Sequence, residues 1–216
     1  MFQTLHPDWQ ALLEDQKELL LEIEQRFDAD PKSIPAKPNL LRAFSFPPSH
    51  FRVLIVGQDP YPNPEHAMGL AFAVPIGTQP LPPTLSNIFK ELRSDLGVGV
   101  VQTGDIEPWL ERGVMLLNRH LSTQAENSAA HLGFGWAEFT DAAIKALNKN
   151  NRDQLVAILW GKQAQELAPL LTRAKIISSS HPSPLASYRG FLGSRPFSRC
   201  NQLLVELGLE PIDWSA

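Results

Sequence analysis

The chain carries a single cysteine, Cys200, in 216 residues, which excludes an internal disulfide and leaves no cysteine pair for a zinc motif of the usual spacing. That usage fits a reducing compartment. No apolar run approaches membrane-spanning length. The opening residues, Met1 to Asp8, lack a basic segment followed by an apolar core, so no signal peptide is expected. A cytoplasmic protein with no membrane association is the expectation. Internal repeats and low-complexity tracts are missing as well. Gly161-Lys162 is not a nucleotide-binding P-loop, because the upstream Gly and the downstream Ser or Thr are absent. Gly97-Val98-Gly99 lacks the third Gly of a dinucleotide fingerprint and follows a helical pattern rather than a strand. His66, His120 and His131 show no metal-ligand spacing, so no metal is expected.

The composition that remains is ordinary for a soluble globular protein, with 43% hydrophobic and 19% charged residues. At this length one domain spanning 1–216 is the default, with chain enough for a sizeable core. The net charge of −4 argues against a nucleic-acid partner until its distribution is read. Residues 1–30 hold eight acids (Asp8, Glu14, Asp15, Glu18, Glu22, Glu24, Asp28 and Asp30) against Lys17 and Arg26. Residues 167–205 hold no acid and carry Arg173, Lys175, Arg189, Arg195 and Arg199. A basic, Ser- and Gly-rich segment in an acidic protein can attract phosphate locally, although a solvated surface with chance clustering gives the same count.

Apolar spacing predicts helix in the acidic segment 1–30, with Leu12, Leu13, Leu19, Leu20, Ile23 and Phe27 near the 3.6 period. Strands are predicted at 51–56, 114–117, 155–160 and 175–179. Helices are predicted at 85–96, 107–112, 136–148, 163–171 and 197–207. Strands alternate with helices from residue 51 onward. That order predicts a single α/β domain whose central four-stranded, mainly parallel sheet carries helices on both faces. Each strand runs into a polar or Gly-containing loop: Gly57-Gln58-Asp59, Asn118, Gly161-Lys162 and Ser180-His181. In such a sheet those loops converge on one rim, where ligands bind.

Two of the loops carry the chemistry. Gly57-Gln58-Asp59-Pro60-Tyr61 places a carboxylate at a strand end, beside a stiffening proline and a flat ring. The plainer account is an Asp capping the next turn beside a packed Tyr. His181-Pro182-Ser183-Pro184-Leu185 braces a histidine between a strand end and two prolines, then offers an apolar tip followed by Arg189. A lone His is more often structural, and an exposed Leu usually means little. Together with Arg189, however, the segment has the composition of a tip that enters a base stack beside phosphates.

These segments stand in a longer ordered series: Gly69-Leu70-Ala71-Phe72, Pro82-Pro83-Thr84-Leu85-Ser86-Asn87-Ile88, Leu116-Leu117-Asn118, Leu159-Trp160-Gly161 and Arg189-Gly190-Phe191. In composition and order the series resembles the family 1 uracil-DNA glycosylases, over roughly residues 40 to 210. The resemblance implies a DNA repair hydrolase that flips deoxyuridine out of single- or double-stranded DNA, cleaves the N-glycosidic bond and leaves an abasic site. It implies a monomer without cofactor. Asp59 would orient the attacking water and favour positive charge on the sugar. His181 would donate a hydrogen bond to uracil O2 as charge builds there, helped by backbone N–H groups near Gln58 and Asp59. Asn118 would read the uracil edge, Phe72 would stack on the base, and Tyr61 would press against C5, where thymine carries its methyl. Pro82, Pro83, Thr84, Gly161, Lys162, Ser183 and Arg189 would grip the DNA backbone, and Leu185 would fill the gap left by the flipped nucleotide.

The chain departs from the family pattern at five places. Pro62 and Met68 stand where many members have His, and both are expected behind the residues that touch the base. Lys162 and Ala186 replace Ser, and Thr84 replaces Ser while keeping a hydroxyl. Two rivals stay open on sequence. One is a base-excision enzyme for mismatched thymine, which Tyr61 argues against. The other is a binding module without turnover, which the pairing of Asp59 with His181 argues against. Cys200 falls on a predicted helix and is expected to be buried and inert.

Overall fold

Three apolar runs in this chain, Val53–Gly57, Val114–Asn118 and Val156–Trp160, are buried at every position, the pattern of strands covered on both faces of a parallel sheet. The computed structural model describes residues 1–97 and 105–215. Val98 and Gly99, of the glycine pair set aside above, lie outside the described residues.

The chain begins with helices α1 (Pro7–Leu12) and α2 (Lys17–Ala29), then a two-residue strand β1 (Ser33–Ile34). Strand β2 (Val53–Gly57) is followed by α3 (Pro83–Leu96), α4 (Pro108–Glu111), β3 (Val114–Asn118) and a short β4 (Thr123–Gln124). Then come α5 (Trp136–Asn150), β5 (Val156–Trp160), α6 (Lys162–Gln165), β6 (Lys175–Ser179) and α7 (Pro196–Glu206). The main sheet has the order β3-β2-β5-β6, and every pairing in it is parallel. The predicted four-stranded sheet is therefore present, and it is wholly rather than mainly parallel.

The topology fixes where a ligand can sit. From β2 the chain crosses to β3 on one side. From β3 it passes over β2 to β5 and continues to β6 on the other side. Right-handed crossovers then put α3 and α4 on one face and α5 and α6 on the other. The packing agrees, since α7 lies against α3, β5 and β6, whereas α5 lies against α2. The direction of winding reverses at β2, so its carboxyl end is a topological switch point, the place where clefts open in sheets of this kind.

Two expectations need correction, and one pairing leaves no signal in the sequence. The N-terminal segment is not one helix. Leu13 leaves the helical region at φ −119° and ψ 22°, and the turn Glu14–Gln16 separates α1 from α2. The break lets Trp9, Leu13, Leu20 and Ile23 all face the core, while Leu12 is left exposed. The helix predicted at 163–171 stops at Gln165 and resumes only as a short 3-10 turn, Ala168–Leu170. Pro169 cannot donate the backbone bond that a continuous helix needs there. The antiparallel pair β1–β4, joining Ser33 to Gln124 and Ile34 to Thr123, is too short to leave a periodic signal.

Candidate active site

Asp59 follows β2 by two residues. The carbonyls of Gly57 and Gln58 accept hydrogen bonds from the N–H groups of Arg119 and His120, both at 2.8 Å. In a planar trans peptide the N–H points opposite to the carbonyl. The N–H groups of Gln58 and Asp59 are thus turned away from the continuation of β3. Asp59 Oδ2 accepts a hydrogen bond from Ala129 N–H at 2.7 Å. Burial pushes the Asp59 carboxyl above its ordinary value, and the Ala129 bond offsets part of that rise.

Asn118 ends β3 directly beside Gly57. A Cβ at Gly57 would collide with Asn118 Oδ1 and press on the Ala71 methyl at 3.0 Å, so only glycine lets the amide come this close to β2. Asn118 is 5% exposed, and its amide makes no hydrogen bond among the described residues. An unpaired buried amide costs stability unless something else satisfies it. The loop after Gly69 runs along the free edge of β3, with Ala71 N–H donating to Leu116 O at 3.1 Å. That bond places the next residue, Phe72, which adopts a left-handed φ of 65°. Its carbonyl accepts the Tyr61 hydroxyl at 3.2 Å, and burial raises the Tyr61 pKa far above its ordinary value. The Phe72 ring meets those of Trp160 and His181 at centroid distances of 5.4 and 6.0 Å.

The third and fourth strand ends supply Gly161 and His181. Gly161 has φ 88°, and a Cβ there would stand 3.0 Å from the His181 Cβ. Glycine is required both for the conformation and for the approach of the two loops. His181 Nδ1 accepts a hydrogen bond from Ser183 N–H at 3.0 Å, which leaves the ring proton on Nε2. Desolvation lowers the His181 pKa, so the imidazole is neutral near pH 7.

Gln58, Asp59, Tyr61, Phe72, Thr84, Asn118 and His181 share the wall of one cavity of about 160 Å³. Gln58 and His181 also face a second cavity of about 520 Å³, where Gly161, Lys162 and Ser183 lie. Pro82, Pro83, Leu185 and Arg189 line neither. Pro82 caps α3 and Pro83 is its first residue. Leu185 is 87% exposed at the tip of its loop. Cys200 is buried, and burial raises its thiol pKa, consistent with inertness.

Part of the wall differs from the expectation. Pro62 and Met68, expected to stand behind the cavity, lie on it, because the loop from Tyr61 to Gly69 folds across the carboxyl ends of β2 and β3. Ser187, next to Ala186, is fully buried and cannot supply the hydroxyl missing at 186. Ala129, which holds Asp59, gives no sequence signal, since its contribution is a backbone donor 70 residues further along the chain.

The profile of the uracil DNA glycosylase superfamily matches residues 44–205. The chain is 49% identical over 216 residues to a uracil-DNA glycosylase of Corynebacterium efficiens, covering 97% of this chain and 90% of that one. It is 54% identical over 181 residues to one from Mycolicibacterium gilvum, covering 84% and 80%. Its structure is similar to the crystal structure of mimivirus uracil-DNA glycosylase, with a TM-score of 0.91 at 25% identity over 99% of this chain and 88% of that one.

Proposed function

The chain belongs to the uracil DNA glycosylase superfamily and is a glycosylase of uracil excision in DNA repair; from that premise we propose the roles that its residues take in the reaction. One observation carries the proposal: Asp59, Tyr61, Phe72, Asn118 and His181 share a single small cavity at the switch point of the sheet. A flipped uracil enters it and lies against the Phe72 ring. The Asn118 amide, unpaired without ligand, meets uracil O4 and N3–H. Cytosine presents the opposite donor and acceptor there, and a buried mismatch of that kind discriminates strongly. Tyr61, held to the Phe72 carbonyl, occupies the space that a C5 methyl needs.

The chemical step breaks the bond from sugar C1′ to uracil N1 and forms one from water oxygen to C1′. The electron pair of the broken bond leaves with uracil, and charge collects on O2. Neutral His181 meets that oxygen with its Nε2–H, joined by the N–H groups of Gln58 and Asp59. Asp59 orients the water, takes up its proton and stabilises the cationic sugar. Preorganised electrostatic contacts of this kind are each worth about 3–4 kcal/mol of barrier. Gly161, Lys162 and Ser183 in the second cavity, with Pro82, Pro83, Thr84 and Arg189, hold the backbone of the distorted strand. Leu185 fills the vacated stack, offsetting the few kcal/mol that flipping costs. The protein works as a cytoplasmic monomer on single- and double-stranded DNA, with the whole of 1–216 as one domain. Among the described residues no helix is long and apolar enough to cross a membrane.

Oligonucleotides bearing one uracil, or one thymine mispaired with guanine, provide the test through a count of abasic sites. Uracil-specific release, lost in Asp59→Asn and His181→Ala, is the expected result. Tight DNA binding without release would favour a binding module, and release of mispaired thymine would favour the other excision enzyme.

A further inference from the structure

Asp59 is held from outside its own loop, and the holder is itself secured from the acidic N-terminal segment. Ala129 has φ 61° and Glu126 has φ 64°, two non-glycine residues in the left-handed region within one short loop. Such conformations persist only where the surroundings impose them. Here Glu126 N–H donates to Pro62 O at 2.8 Å, and Thr123 Oγ1 bonds to Asn127 O at 2.7 Å and to Ala130 N–H at 3.2 Å. At the end of the loop stands His131, 1% exposed. Its Nε2 lies 3.0 Å from Asp30 Oδ2, its Nδ1 lies 2.8 Å from Ser122 Oγ, and its ring stacks on Phe134 at 3.8 Å. Asp30, the residue that closes α2, also accepts from Gln124 Nε2 at 2.7 Å and Lys32 N–H at 2.9 Å. One carboxylate thus joins α2, β4 and the loop that carries Ala129.

We infer that Asp30 and His131 are positioning residues for Asp59: their pairing fixes the 125–131 loop so that Ala129 N–H engages Asp59 Oδ2 and leaves Oδ1 to orient the water. The inference rests on the catalytic role proposed above for Asp59. It gives the acidic N-terminal segment a task beyond covering the sheet.

A double-mutant cycle tests it. Asp30→Ala is placed in the wild-type and Asp59→Asn backgrounds, and kcat, KM and Tm are measured on a single-stranded uracil oligonucleotide. A displacement of about 1 Å at a reacting group can cost up to about 100-fold. The expected result is a fall in kcat of about 10- to 100-fold with KM within about twofold, and almost no further fall in the Asp59→Asn background. Asp30→Glu should recover part of the loss. Equal loss in both backgrounds, or an unchanged kcat in the wild-type background, overturns the inference. If Asp30→Ala does not fold, His131→Gln and Gln124→Ala carry the same comparison. Wild-type rates in Asp59→Asn alone would instead refute the catalytic reading of Asp59, a distinct outcome.

Discussion

The wall of the small cavity and the tip of the His181 loop are built on opposite physical plans. The wall grows from β2 and β3, whose residues are buried throughout, and two of its groups, Asp59 and Tyr61, bond to the backbone of other loops. The tip follows β6, an edge strand with Lys175 and Ile176 exposed, and it presents Leu185 and Tyr188 at 87% and 78% exposure. The only ring contact at Tyr188 among the described residues is the Lys90 ammonium, 5.4 Å from the ring centroid. In the proposed mechanism the wall selects a base and stabilises charge, so it must already be in place when the reaction begins. The tip, for which entry into a duplex is proposed, is then free of the protein so that it can pack against DNA instead. Both regions meet at His181, which belongs to the wall by its ring and to the tip by its loop.

The sharpest break in this contrast is Asp59→Asn. Loss of the charge should cut uracil release by about 10³-fold, the upper end for removal of one electrostatic contact. Tm should stay at or above the wild-type value. The sign follows from the raised pKa: an acid whose folded pKa exceeds its unfolded value of 3.8 loses stability as pH rises through that range, and the neutral amide avoids the loss. A clear fall in Tm measured at pH 7 would contradict the buried-carboxylate account.

Tyr61→Ala probes selection at the same wall. It should allow thymine release while lowering uracil release by no more than about tenfold, as expected for a contact worth roughly 1 kcal/mol. Strict uracil choice in that variant would remove the steric gate. Leu185→Ala probes the other plan. It should cost about tenfold on duplex substrate and almost nothing on a single strand, where no stack has to be replaced. Equal losses on both would show that the tip acts through the wall. The smallest effect concerns pH. Desolvation lowers the His181 pKa below its ordinary 6.5, so kcat/KM should change by less than about twofold between pH 8 and 6.5 and fall only at lower pH. A midpoint at or above 6.5 that persists in the residual activity of Asp59→Asn would mean that the imidazole is not held neutral.

The same contrast explains how much could be read from the letters alone. Strands β2, β3 and β5 are legible because a strand buried on both faces must be a short apolar run, and each ends at a residue needed for close approach or contact, namely Gly57, Asn118 or, one step on, Gly161. The residues now on the cavity wall at those ends were legible for the same reason. The support behind them was not. Ala129 contributes a backbone N–H, which every residue except proline has. Asp30 is one acid among eight in the N-terminal segment, with nothing in the sequence to single it out, and only the meeting of β1 with β4 shows that it faces His131. Pro169 stands inside the helix predicted at 163–171, and the helix after β5 ends before it. Pro62 and Met68 lie on the cavity wall and not behind it, and a long proline- and glycine-rich loop gives no periodicity from which to infer what it covers.

The central claim, that one cavity holds the excised base among Asp59, Tyr61, Phe72, Asn118 and His181, is tested most directly by a structure of the Asp59→Asn protein bound to an oligonucleotide containing deoxyuridine. The account places the uracil ring against Phe72, its O4 and N3 at the Asn118 amide and its O2 near His181 Nε2, with Leu185 in the vacated stack. A bound complex with the uracil still stacked in the DNA, or held in the larger cavity beside Arg119 and Lys162, would contradict it.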